Sequence, residues 1–461
     1  MLWCTAAGVA ATTAAGLPKK RIEMTTALHW FRSDLRVADN EALLAACRAD
    51  RVVAAYCFDP AQFGPGEYGF PKTGPFRARF LLETVADLHA HLRALHIPLY
   101  IFTQRPEEAL PGLVQAQGIT EVHLQREWTR DECRVRDAVR EKLPAGTRMV
   151  ETDEGFLFHP DDLPFRGPDA LPEVFTAFRK RCEKEVAVRP LLPEPRPRPA
   201  AHWEDPATPM PGLADLGHKP FESDPRSAFP FKGGSTAAWA RIRSYFWDSR
   251  RLSYYKHTRN GLVNPEYSTK LSPWLANGAL SARQVYWETR KYEQEVVRNQ
   301  DTYWLIFELI WRDYFRYISR KHGNRIFYPG GILGRGPTPP PDPEALRAWT
   351  TGQTASDFIN ANMIELSQTG WMSNRGRQNA ASCWTRHLKQ DWRIGAAWFE
   401  YLLVDYDVHS NWGNWMYNSG VGNDPRDRTF NPETQAARYD ADGRFRRLWL
   451  HPTLFETGPS L

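Results

Sequence analysis

Paired cysteines, long apolar runs and a glycine-rich dinucleotide loop are all missing from this chain of 461 residues. The six cysteines, at 4, 47, 57, 133, 182 and 383, form no CxxC pair and no metal-ligand spacing. That argues for a reducing compartment and against a disulfide framework or a zinc site. Only Cys383 lies beyond Cys182, so the second half lacks the four thiolates of an iron–sulfur cluster. No metal is therefore expected. No apolar stretch approaches the length of a membrane span, so no membrane partner is expected either. No GxGxxG follows the first predicted strand, which removes the usual NAD fingerprint. The formal net charge of +5 permits an anionic partner without demanding one.

What the chain does have is tryptophan and proline, 18 and 36 residues. Fourteen of the 18 tryptophans lie at or after Trp239, so the second half is chemically unlike the first and should rely on aromatic burial or stacking. The length suggests two or three domains. Residues 1–24 are rich in small side chains, with the basic cluster after the apolar part, the reverse of a secretory signal. They read as a disordered extension or an upstream start on a cytoplasmic protein, with an organelle-targeting peptide as the alternative. From 25 to 150, the runs TALHWF, VVAAYCF, PLYIF, EVHLQ and TRMVE read as strands. They alternate with helical patterns in NEALLAACRA, FRARFLLETVADLHAHLRAL and EEALPGLVQAQG. This alternation predicts an α/β Rossmann-like domain with a parallel, doubly wound sheet. Residues 151–232 form a Pro-rich linker, expected to be extended, without a long helix, and with solvated basic charges. Residues 233–450 read as an all-α domain, with helices at 235–248, 278–295, 301–321, 354–366, 373–388 and 394–403, followed by a short tail at 451–461.

Four motifs in the helical half carry chemistry. In STKLSPWLANGALS (268–281), Ser268, Thr269 and Ser272 sit with free backbone N–H groups before a helix, which suits a phosphate or, alternatively, a capping box. WLIFELIWRDYF (304–315) places Trp304, Glu308, Trp311 and Arg312 on one helical face, either a pocket wall or a buried Glu–Arg pair among packed indoles. In TGWMSNRGRQNAASCWTRHLKQDW (369–392), Trp371, Asn374, Arg375 and Gln378 share one face, while Arg377, Ala381, Trp384 and Leu388 share another. Amides offer both donors and acceptors to the edge of a heteroaromatic ring, and a buried Arg377 needs a carboxylate. LLVDYDVHSNWGNWMYNSGVGNDP (402–425) supplies Asp405 and Asp407, then Asn411, Trp415 and Tyr417, and its glycines 413, 420 and 422 suggest irregular backbone near a ligand. Together these residues favour a large, aromatic, phosphorylated cofactor.

These motifs, with LHWFRSDLRVADNEAL, YKHTRNGL and ELIWRDYFRYISRKHGNRIF, resemble the photolyase/cryptochrome family, most closely the DASH cryptochromes, over about 25–450. The resemblance implies an N-terminal domain with an antenna chromophore and a helical domain enclosing FAD. By that resemblance Tyr255, Ser268, Thr269, Lys270, Leu271 and Ser272 are phosphate and ribityl contacts. Arg377 and Asp405 form an ion pair over the flavin, Asp407 lies at its edge and Asn411 at its N5. Trp304, Glu308, Arg312, Trp371, Asn374 and Phe399 complete the FAD set. The implied reaction is light-driven electron transfer from reduced FAD to a cyclobutane pyrimidine dimer, with Glu308, Asn374, Trp311, Gln378 and Tyr417 in the substrate pocket. Glu308 can hydrogen-bond a pyrimidine carbonyl only if it is protonated or donates indirectly.

Gln378 and Tyr417 stand where many dimer photolyases are expected to have Met and Trp. A more polar pocket compensates poorly for extracting a lesion from a duplex, so dimer-bearing single-stranded DNA is the expected partner, with RNA and duplex DNA weaker. Trp415 and Trp392 match the inner two members of the chain that photoreduces the flavin. The stretch GRGPTPPPDPEAL before Trp349 has no outer tryptophan, which leaves Trp384 or a tyrosine to replace it. TTGQTASDFINANM (350–363) also departs from the family, and its helix is expected to be re-capped by Ser356 or Asp357. Glu127 matches a folate-contacting position, or is simply a strand-end carboxylate; 5,10-methenyltetrahydrofolate is the expected antenna. A monomer is expected. The competing readings are a signalling cryptochrome acting through protein partners, which the short tail disfavours, and a duplex-active photolyase. Arg375, Lys256 and Arg259 are candidates for a basic surface around the pocket, unless they are merely solvated.

Overall fold

The computed structural model describes residues 24–335, 339–426 and 428–451. The expected extension before Met24, the tail after His451 and part of the stretch searched for the outer tryptophan lie outside the described residues. Among the described residues no helix is long and apolar enough to cross a membrane.

Five strands form one parallel sheet in the order β3-β2-β1-β4-β5. They are β1 (Thr26–Trp30), β2 (Arg51–Cys57), β3 (Leu99–Phe102), β4 (Glu121–Gln125) and β5 (Arg148–Thr152), each within one residue of its expected bounds. β1 is buried along its whole length, as a parallel sheet covered on both faces requires. The order reverses between β1 and β4, so the crevice beyond their C-terminal ends is a natural ligand position. The expected helices Glu41–Ala46, Pro75–Ala94 and Pro106–Ala116 cover the sheet. A further helix, Arg130–Lys142, has no apolar stripe to announce it. Val139 is its one buried residue, and ion pairs such as Arg140–Glu151 tie it to β5.

Two features of the linker differ from expectation. The proline-free window within it forms a helix, Phe175–Glu185, which buries Phe175, Phe178 and Cys182 in the core of the helical half. Its arginines are also not all solvated. Arg198 donates to the carbonyls of Cys47 and Ala49, and Arg189 pairs with Asp162 at 2.6 Å. The linker is thus fastened to both halves.

The second half is helical throughout. Helix Gln300–His322 runs through its centre, opened by Asn299, whose side chain accepts from the backbone N–H groups of Asp301 and Thr302, and closed by Arg320, Lys321 and His322. Residues 402–425 are more regular than their glycines suggest. Val408–Ser419 is a helix, N-capped by Asp407 and ended by Gly420 at φ 75°. Gly413 lies mid-helix because a Cβ there would come within 2.3 Å of the Phe315 ring, so it serves helix packing rather than ligand approach. In 268–281 the capping box is present, though at Ser281 rather than at Ser268, Thr269 or Ser272. Ser281 forms a capping box with Gln284 at the start of helix Ala282–Glu295, while Ser272 opens the short helix Ser272–Asn277. The expected re-capping holds in position only: Ser356 occupies the N-cap of helix Asp357–Thr369, but its side chain makes no capping bond. Asn360 closes the loop instead, accepting from Thr354 N at 2.7 Å and donating to Thr354 O at 2.9 Å. Most of the tryptophan serves the core, with Trp274, Trp349 and Trp384 fully buried.

Candidate functional site

A cavity of ≈ 250 Å³ opens in the helical half between Tyr255–Ser272, the central helix, Trp371–Arg377 and Asp405–Ser410. Its walls include thirteen residues read from the motifs: Tyr255, Ser268, Thr269, Lys270, Leu271, Ser272, Glu308, Arg312, Trp371, Asn374, Arg377, Asp405 and Asp407. Local structure explains why they converge. The central helix turns Glu308 and Arg312, one turn apart, to the same side. The segment before helix Ser272–Asn277 curls inward because Lys270 adopts a left-handed backbone at φ 61°, an uncommon conformation for a residue with a Cβ.

The electrostatics divide the cavity into a paired part and an unpaired part. Arg377 lies 3.0 Å from Asp405, and Ser272 Oγ donates to Asp405 at 2.6 Å, so the partly buried guanidinium has a carboxylate partner. Asp407 is held below the usual carboxylate range: burial pushes its pKa up, but Arg316, 3.1 Å away, with His409 and Arg312, outweighs it. Glu308 pairs with Arg259 at 2.7 Å, not with Arg312, which instead donates to the carbonyls of Gly155 and Leu275. Burial raises the Glu308 carboxyl above its ordinary range, opposed by Arg259 and Trp304. Lys270 differs from all of these. Its ammonium has no hydrogen-bond partner and is 2% exposed, with the Tyr267 ring 3.2 Å away and the Trp371 ring 4.5 Å away. Burial lowers its pKa well below the usual range, and both oxygens of the nearby buried Glu365 also lack partners. A buried lysine whose ammonium makes no hydrogen bond, with Glu365 near but not in contact, is costly, and an anionic group in the cavity would relieve it. The hydroxyls of Ser268 and Thr269 beside it make the donor set suit a phosphate, and the rings of Trp371 and Tyr267 suit an aromatic group, so these residues fit FAD.

The remaining motif residues lie outside this wall. Trp304 stacks on Phe307 at 4.6 Å on the outward side of Glu308. Trp311 stacks on Phe175 of the linker helix at 3.6 Å and meets Tyr417 edge-on at 5.7 Å. Gln378 accepts from Arg375 at 2.9 Å. Asn411 is buried and donates to Ala396 O at 3.0 Å. Phe399 and Trp349 flank Trp415 at 5.0 and 6.2 Å. Trp392 packs edge-on against Trp412 and donates to Pro329 O. Trp384 is fully buried against Trp349 at 4.9 Å, so it cannot itself meet a reductant in solution. Tyr267, Leu305, Leu309 and Ser410 line the cavity without having been singled out. Leu305 and Leu309 could have been found, because they share with Glu308 and Arg312 the i, i+4 spacing of the wall.

A second cavity, ≈ 260 Å³, lies where the sheet's switch point faces the helical half. Trp30, Phe31 and Arg32 after β1 and Glu127 after β4 line it from one side, and Phe327, Glu400, Tyr406, Asp407 and His409 from the other. Glu127 is buried and accepts from Gln125 at 2.7 Å. His409 is fully buried, 4.0 Å from Glu127, and neither ring nitrogen has a hydrogen-bond partner. Asp407 borders both cavities.

The fold and these walls define a two-domain protein whose helical half is shaped around a phosphorylated aromatic group. Residues 27–200 match the family model DNA photolyase, and residues 304–456 match the FAD binding domain of DNA photolyase. Cryptochrome DASH of Gloeobacter violaceus is 49% identical over 92% of this chain and 85% of the relative. Cryptochrome DASH of Danio rerio is 45% identical over 92% of this chain and 83% of the relative. The crystal structure of a Synechocystis sp. PCC6803 cryptochrome superposes with a TM-score of 0.88 at 42% identity, covering 94% of this chain and 90% of that one. The chain belongs to the photolyase/cryptochrome family, on its DASH cryptochrome branch, and carries that family's FAD-binding domain.

Proposed function

We propose that this protein repairs cyclobutane pyrimidine dimers in a light-driven, FAD-dependent reaction, with a preference for single-stranded DNA. The observation that carries the reading is Glu308, a carboxyl group on the cavity wall that burial shifts upward from its ordinary range against the pull of Arg259, 2.7 Å away. A protonated carboxyl can donate to a pyrimidine carbonyl as negative charge builds on it, which a carboxylate cannot do. Reduced FAD, when bound and excited, supplies the electron and takes it back. The chain's own residues do the rest. Ser268, Thr269 and Lys270 would hold the phosphates, while the fixed Arg377–Asp405 pair and Asp407 would hold the ring system. Trp311, braced by Phe175, offers a rigid apolar wall for an extruded pyrimidine dimer. Asn374, exposed at the mouth, supplies an amide to the pyrimidine edge. Gln378 and the half-buried Tyr417 keep the entrance polar, which favours a strand that has no pairing to lose.

The inter-domain cavity supports a second part of the proposal, an antenna of the 5,10-methenyltetrahydrofolate type held by Glu127 and His409. A buried carboxylate and an imidazole with both nitrogens free match the donors and acceptors of a pterin edge.

The test is to illuminate the reduced protein with dimer-containing oligonucleotides, single-stranded and duplex, and to follow the return of thymine absorbance. Faster turnover of the single strand is expected, and Glu308→Ala should abolish most of it. Equal turnover of both substrates would remove the strand preference; unchanged repair by the variant would remove the pocket assignment.

A further inference from the structure

The outward face of the central helix carries a ribbon of rings that the cavity does not use. Trp304 stacks on Phe307 at 4.6 Å, and both are half-buried. Segment 253–257 is docked on the first turn of that helix by three contacts. Asn299 Nδ2 donates to Ser253 O at 3.0 Å, Lys256 Nζ donates to Gln300 Oε1 at 3.3 Å, and His257 Nδ1 lies 2.8 Å from Asp301. That docking places the Lys256 ammonium 4.5 Å over the Trp304 ring and leaves Tyr254 64% exposed beside it. Tyr255, the next residue, lines the cavity, so the patch adjoins its mouth.

Charge separates this end of the ribbon from the others. Arg179 stands over Phe307 but is neutralised by Glu183 at 2.8 Å, and Arg428 over Tyr417 leans on Asp424 at 3.6 Å. Among the described residues neither Lys256 nor the exposed Arg250 has a carboxylate partner, whereas Arg251 pairs with Glu266 at 3.5 Å and His257 with Asp301. An exposed ring beside a half-buried one, with a lysine free of carboxylates between them, suits a single nucleic-acid strand: bases stack on rings while a phosphate meets the ammonium.

We infer that Tyr254, Lys256 and Trp304 form a stacking track for the undamaged nucleotides of single-stranded DNA flanking the one held in the cavity. This rests on the repair reading above and extends it, since the track adds affinity with strand length and is indifferent to the lesion. Tyr254 and Trp304 each accept a base, and Lys256 neutralises the phosphate between them. The exposed position of Tyr254 means that its replacement leaves the core untouched.

The experiment is fluorescence anisotropy in the dark with the FAD-loaded protein, using dT oligonucleotides of increasing length, with and without a central dimer. Parent protein should bind longer strands more tightly whether or not they carry the dimer. Tyr254→Ala should weaken the long undamaged strand by roughly 5- to 100-fold, the range expected for one stacked base. Lys256→Gln should lower the magnitude of the slope of log affinity against log salt by about 0.7, the share of one phosphate on a single strand. FAD content and thermal unfolding check that both variants fold. Length-dependent binding that is identical in the parent and in both variants would overturn the track while sparing the repair reading. A parent that binds neither damaged nor undamaged strands would overturn both.

Discussion

The two cavities are close in size and share Asp407, yet they differ in which of their polar groups are satisfied. In the inter-domain cavity the charged side chains mostly answer one another: Lys72 and Arg130 meet Asp131, and Arg316 meets Asp407. What stays without a hydrogen bond there is the His409 imidazole, 4.0 Å from Glu127, together with single nitrogens of Arg32 and Arg77 and two of Arg316, whose guanidinium groups are partnered through their other nitrogens or by stacking. In the helical cavity the unpartnered group is an ammonium, Lys270. The difference teaches that the first wall is nearly self-sufficient, and that the second is completed only by an anion. FAD should therefore be a structural component of the protein, whereas the antenna should be an addition to it.

The largest effect expected from this contrast comes from removing one carboxylate at each site. Asp405→Ala strands Arg377, which is only a quarter exposed, and should cost about 3 kcal/mol in urea unfolding together with most of the bound FAD. Asp131→Ala breaks a pair whose side chains are about one third exposed, and should cost less than about 1 kcal/mol. Similar losses at the two positions would break the comparison.

Lys270→Met sharpens it further, because two readouts should move in opposite directions. The FAD-free protein should unfold at a higher temperature once the bare ammonium is gone, while FAD affinity should fall by roughly 10- to 100-fold, the share of one charge-assisted contact. A fall in both would mean that Lys270 has a partner within the protein after all.

Glu365 carries the pH dependence of the same site. Burial lifts its carboxyl to about 8, against the pull of Lys270 and Arg377. As pH rises past the ordinary value of 4.5, the unfolded chain ionises while the folded chain does not, so folded stability is lost progressively up to pH 8. Glu365→Gln should remove that loss, and its advantage over the parent in FAD-free protein should grow by about 3.5 kcal/mol between pH 5 and pH 8. A constant difference across that range would exclude the mechanism.

The smallest effect belongs to the antenna cavity. Glu127→Gln should weaken methenyltetrahydrofolate binding about tenfold, read from near-ultraviolet absorbance after folate is supplied, with FAD content unchanged. Loss of FAD in this variant would show that the two cavities are coupled through Asp407.

Legibility varied with the range of the interaction involved. The central strands β1, β2 and β4 were readable because each is a short, largely buried apolar run, while the edge strands β3 and β5 are less buried and were marked by the strand–helix alternation. Helix Arg130–Lys142 was not, since its residues are held by ion pairs to a neighbouring strand rather than by an apolar stripe. Helix Val408–Ser419 was obscured by Gly413, whose missing Cβ makes room for Phe315, about a hundred residues earlier in the chain. Most of the cavity wall was legible because hydroxyls, amides and charges clustered within four motifs. Trp304 and Asn411 sit in those motifs too, and Phe399 just before the last of them, but the wall is built from other residues.

By itself the amino-acid order determined the parallel sheet, the helical second half and the need of a buried Arg377 for a carboxylate. These follow from local periodicity and from the cost of burying charge. Only the tertiary structure decided which charges meet: Glu308 takes Arg259 rather than Arg312, Asp407 takes Arg316, and Lys270 is left alone beside the cavity. Pairing depends on how helices distant in sequence are set against one another, and no local pattern encodes that arrangement.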